Sequence, residues 1–206
     1  MNPWKLHSKF IRLLCIAILF FASNKSFSQG SGGPTPTSES LTFELKTNPT
    51  VDFVFNTYSS FLSGITKFNV LTLNVLATGV QWDMYVSAQS TSTGYWDNVV
   101  FYTSNGEDSI PTTLLQVKVS DANNTPNALT FFPVPDNTAP AYIIGTSNID
   151  AAVNCALGNH TNVEGSYITT PSCYKFNVDF RIVPGINNYR SGLYSLNVEF
   201  TLIEDL

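Results

Sequence analysis

Few residues in this chain could do chemistry, and their spacing argues against most reactions. After residue 28 the one histidine is His160, in the polar run 158–162 (GNHTN), which reads as an exposed loop. A Ser-His-Asp relay would have to use it, and no G-x-S-x-G elbow accompanies it. No C-x-x-C, H-E-x-x-H, Walker or G-x-G-x-x-G pattern occurs. One histidine does not assemble a zinc site once the cysteines are engaged. Paired carboxylates are enough for glycoside hydrolysis. Asp83 and Asp179 fall at outward positions of strand patterns, and Glu107 and Asp108 share a turn. Each reads more simply as a solvated carboxylate. Asp121-Ala122-Asn123-Asn124 offers oxygen ligands but lacks the Gly and distal Glu of a calcium-binding EF-hand loop. The residues therefore point to no enzyme, no cofactor and no metal.

Binding has better candidates. Tyr95 and Trp96 follow Gly94 after a Ser/Thr run. Flat aromatic side chains with polar tips suit stacking on sugar rings. The competing reading makes Trp96 a core residue that opens the apolar strand 99–102. Trp82 heads an inward-facing series and reads as core. Tyr189 and Arg190 lie in the last interstrand loop as a further contact point.

The elements that would position these residues are strands. Period-two alternation recurs at Val51/Phe53/Phe55, at Trp82/Met84/Val86/Ala88 and at Leu115/Val117/Val119. It is longest at Tyr174/Phe176/Val178/Phe180/Ile182 and at Tyr194/Leu196/Val198/Phe200/Leu202. Such patterns put one face in a core and the other in water. The stretch 69–75 is apolar on much of both faces. Thr78-Gly79, Asn105-Gly106, residues 121–127 and Pro184-Gly185 supply turns. Residues 184–192 join the last two strands, which are expected to pair as an antiparallel hairpin. Pro133, Pro135 and Pro140 keep their stretch out of a central strand. Ile149, Ala152, Val153, Ala156 and Leu157 follow helical spacing, so one short helix is expected near 148–157. The fold class is all-β, a two-sheet antiparallel β-sandwich with that helix and one disulfide; a closed barrel is the alternative.

The N-terminus reads as an export signal. Lys5, Lys9 and Arg12 precede the apolar run 13–22 (LLCIAILFFA), and Ser26-Phe27-Ser28 offers a small-x-small cleavage site. The apolar run falls short of the roughly 20 residues that span a bilayer. Cleavage after Ser28 leaves a flexible leader over 29–40, whose residues 30–40 read GSGGPTPTSES, and one domain over 41–206. It also leaves six basic against fifteen acidic residues, a formal charge of −9. That charge disfavours nucleic acid and anionic membrane surfaces. Cys155 and Cys173 are then the available pair in an oxidising compartment and are expected to form the disulfide.

Two segments carry a resemblance. Residues 78–86 (TGVQWDMYV) place a turn before a W-x-hydrophobic strand, and residues 191–200 (SGLYSLNVEF) form a G-x-Y-x-hydrophobic terminal strand. Together they resemble secreted bacterial surface and pilin-like β-sandwich domains, including WxL-type and immunoglobulin-like adhesin domains. Met84 stands where the WxL-type motif has Leu, and both cysteines follow both mature tryptophans instead of flanking one. The resemblance implies a structural or adhesive role at the cell surface and transfers no catalytic residue. Asp108-Ser109-Ile110 resembles an O-glycosylation acceptor of secreted bacterial proteins.

The expectation is thus an exported protein, extracellular or on the outer cell surface, with the periplasm as the other address. Its partners would be itself or other cell-surface proteins, met through sheet pairing at a free edge of the C-terminal strand. Glycan binding through Tyr95 and Trp96 is the alternative. Membrane insertion after cleavage is not expected.

Overall fold

The computed structural model describes residues 11–16, 39–46, 50–123, 130–145 and 162–205. His160, Cys155, Asn124 and the helix expected near 148–157 lie outside these residues. The chain is mostly strand. In order, the strands are β1 (Ile11–Ile16), β2 (Ser40–Leu45), β3 (Thr50–Phe55), β4 (Ile65–Thr78), β5 (Trp82–Gln89), β6 (Asp97–Phe101), β7 (Leu115–Asp121), β8 (Phe132–Pro133), β9 (Ala141–Ile144), β10 (Gly165–Ser166), β11 (Lys175–Ile182) and β12 (Gly192–Glu204). Among the described residues, two short α-helices interrupt them, α1 (Tyr58–Ser63) and α2 (Pro171–Tyr174).

The strands form two sheets of six. One runs β3-β1-β12-β5-β9, with β6 also paired to β12. The other runs β10-β4-β11-β7-β8, with β2 also paired to β4. Strand pairing is antiparallel throughout the named strands except between β1 and β12. Alternation explains why these segments are strands. In β11, Phe176, Val178, Phe180 and Ile182 are buried while their neighbours are half-buried. In β12, Tyr194, Leu196, Val198 and Phe200 repeat the pattern. The buried faces of both sheets contribute to one hydrophobic core. Trp82 of β5 joins them directly, its ring 6.3 Å from Phe176 of β11 in an edge-on contact. Its indole N–H donates to the Val163 carbonyl at 2.8 Å, so the buried polar atom is satisfied.

The expected hairpin of the last two strands does not form: β11 pairs with β4 and β7 in one sheet, and β12 pairs in the other. Two amphipathic strands in sequence alternate identically whether they lie side by side or face each other across a core. The linker decides. Gly185, at φ +118°, leads into a 3₁₀ turn over Ile186–Asn188 that carries the chain across.

Among the described residues, the C-terminal strand is paired on both edges along its first half. β1 lies against residues 193–197 on one side, and β6 pairs along Gly192–Ser195. Further along, β5 pairs with Asn197–Glu204.

Candidate interaction surface

Tyr95 and Trp96 are held by backbone bonds to the segment before β7. Trp96 N–H donates to the Ile110 carbonyl at 2.8 Å, and Thr112 N–H donates to the Gly94 carbonyl at 2.9 Å. Gly94, at φ +83°, makes the turn into this pairing. Successive residues of an extended chain face opposite ways. Tyr95 is accordingly 46% exposed and Trp96 only 3%. This corrects the paired stacking platform: Trp96 belongs to the core, and Tyr95 alone of the two presents a ring to solvent.

Beyond Trp96 runs β6, where Asn98, Val99, Val100 and Phe101 are all exposed, and Tyr102 after it is exposed too. Among the described residues, β6 has β12 as its only strand partner. The run was legible as a strand. Its exposure was not, because a continuous apolar run ordinarily signals burial on both faces.

Arg190 borders this surface. Its Nε lies 2.5 Å from the Asp108 carboxylate, and its guanidinium lies 5.0 Å over the Phe101 ring. Phe101 in turn packs edge-on to Tyr194 at 6.2 Å. Tyr189 is half-buried, and burial raises its phenol pKa, with Glu107 adding to the effect. The loop candidates thus adjoin β6. Ser109 is exposed, while Ile110 beside it is fully buried.

Of the candidate carboxylates, Asp83 and Asp179 lie in different sheets. Asp83 is buried, which corrects its outward assignment: β5 is covered on both faces at that point. Asn162 explains the cover. Its carbonyl accepts from Trp82 N–H at 2.7 Å, and its side-chain amide donates to Asp205 at 2.9 Å and to Asp83 at 3.4 Å. Burial raises the Asp83 pKa; the Asn162 amide opposes this and the Asp205 charge reinforces it. Gly145 makes room, since a Cβ there would overlap the Asp83 carboxyl. Asp179 lies in the other sheet and accepts from Asn69 N–H at 2.7 Å. Asp121 accepts from Asn123 N–H at 2.8 Å, so that oxygen closes a local turn. Among the described residues, no three His, Cys, Asp or Glu side chains gather as they would around a metal ion. Cys173 is buried at the head of β11, and Cys155 lies outside the described residues.

The sequence matches no protein-family model and no curated protein. No helix among the described residues is long and apolar enough to cross a membrane.

Proposed function

We propose that this chain is an exported, non-enzymatic structural or adhesive protein: a β-sandwich working at the cell surface as a component of a fibre or surface complex. The observation that carries the reading is the apolar strand β6, with Val99, Val100, Phe101 and neighbouring Tyr102 and Tyr95 exposed together. Clustered apolar exposure marks interaction sites, and a strand with one described strand partner is a template for another chain. The N-terminal signal supports export, and Cys155 with Cys173 supplies the stabilising disulfide of an oxidising compartment. The processed protein, gently extracted and sized by light-scattering chromatography, should run as a polymer or large complex. A clean monomer at every concentration would sink the reading.

Carbohydrate binding ranks second and rests on Tyr95 and Tyr102, whose rings are exposed. It requires saturable glycan binding that Tyr95→Ala abolishes while the thermal transition is kept.

A further inference from the structure

The β3-β12 sheet contains a strand that the reading of export would remove. β1 is Ile11–Ile16, which covers Arg12 of the signal's basic region and the first four residues of its apolar run. It lies between β3 and β12, antiparallel to the first and parallel to the second. Among the described residues, β3 pairs with no other strand. Val51, Phe53 and Phe55 of β3 are nonetheless core residues. Cleavage after Ser28 would therefore leave two strand edges facing each other across a gap one strand wide. Closing it directly would draw β3 sideways by about 4.8 Å, the spacing of paired strands. Val51, Phe53 and Phe55 would be dragged through a packed core. Leaving it open would strand backbone donors and acceptors on both edges.

Resting on that reading of export, we infer that the gap between β3 and β12 is a strand-acceptor site, filled in the processed protein by an extended apolar segment of a different exported chain. The ladder defines the segment. Positions 11, 13 and 15 pair with Phe55, Phe53 and Val51, and positions 13 and 15 also with Tyr194 and Leu196, all buried. Paired residues share a sheet face. The occupant therefore needs about six extended residues with apolar side chains at alternate positions, running parallel to β12. A second copy is a poor donor. Every described strand after residue 28 is already paired in its own sheets, and the leader is rich in Gly and contains Pro34 and Pro36. Proline lacks the N–H a ladder uses.

The test starts from the full chain carrying a protease site within the 30–39 leader. After cutting, the chain is unfolded, the N-terminal fragment that contains residues 1–28 is removed, and the body is refolded with or without a labelled peptide of residues 9–18 carrying Cys15→Ser. We expect saturable binding of one peptide per body and at least tenfold slower hydrogen exchange at residues 50–55 and 193–197. The same peptide with Leu14→Pro should not bind. A body that folds only when the peptide is present gives the same support. Three results overturn the inference: both segments protected without peptide, a body that the peptide neither binds nor refolds, or a body that polymerises alone with residues 193–197 protected. The mass of the exported protein separates this from the export reading, because a chain retaining residues 11–16 refutes the cleavage itself. Native assembly with a closed gap would discard the acceptor site and keep the surface role. A native monomer with a peptide-binding gap would do the reverse.

Discussion

Asp179 and Asn69 show how a residue that looks chemical can be structural. The β4-β11 ladder shifts register between Val178 and Phe180, and Asn69 there takes φ +51°. This is a bulge, and asparagine tolerates its left-handed backbone better than most residues. Asp179 accepts the Asn69 N–H at 2.7 Å and so satisfies the donor that the bulge leaves out of the ladder. Asp179→Ala should lower stability by about 1 kcal/mol, seen as a lower denaturation midpoint, while Asn69→Gly should be nearly neutral. Equal losses for both would mean the carboxylate is not the bulge's support. Asp83 carries a different consequence. Its pKa is raised by burial above the ordinary 3.8, so the folded state holds this proton more tightly than the unfolded chain. The associated stability is fully present below 3.8 and falls as pH rises through the raised value. Asp83→Asn removes the buried charge and keeps an acceptor for Asn162. It should be more stable than the parent at pH 7 by about 1 kcal/mol, and the advantage should shrink toward pH 4. Paired urea titrations at the two pH values would show this; an advantage independent of pH would contradict it. Alternation alone placed Asp83 outward, because period two reports which way a side chain faces and not whether another segment covers that face.

At the scale of elements, helix α1 was not expected from the sequence, where helical spacing pointed only to 148–157. Helix α1 is fixed by its ends. Thr57 caps the first turn, its hydroxyl accepting from Ser60 N–H at 3.1 Å, and the Ser60 hydroxyl accepts from Thr57 N–H at 3.3 Å. Gly64 ends the helix at φ +73°. These are sequence signals, and Tyr58, Phe61 and Leu62 fall at i, i+3 and i+4, but the helix is only six residues long and none of its residues is fully buried, so the period is too short to stand out. A Cβ at Gly64 would overlap the Ile182 carbonyl oxygen at the end of β11. Gly64→Ala combines that overlap with an unfavourable backbone and should cost about 2–3 kcal/mol. Thr57→Ala, which loses only the cap, should cost about 1 kcal/mol. Thermal unfolding of the two variants would separate these mechanisms, and similar losses would place the effect in the helix alone. Strands β3, β5, β7, β11 and β12 were readable because each repeats apolar residues with period two, whereas β1, β2, β8, β9 and β10 carried no such signal in the reading. The partners of the strands were not readable. β11 and β12 carry the same signal in different sheets, and strand partners are chosen by long-range packing that no local pattern contains.

For the whole molecule, the question is what a strand exposed on both faces is for. β6 contributes little to the core: Asn98, Val99, Val100 and Phe101 are all exposed, with Val99 at 57%. Its inner edge is docked on β12, where Gly192 has no room for a Cβ beneath the Val100 carbonyl. The fold therefore holds the strand in place without burying it. A surface kept apolar for assembly should yield to charge without harm to the fold. Val100→Lys changes an exposed position and should shift stability by no more than about 0.5 kcal/mol. Lysine on an edge strand, however, discourages the approach of another strand. We therefore expect the variant to be exported and to unfold like the parent, yet to elute at a smaller native size. If Val100→Lys and a control substitution at exposed Thr91 leave the native complex equally intact, assembly does not pass through β6. The gap beside β3 would then be the next place to test for a partner strand.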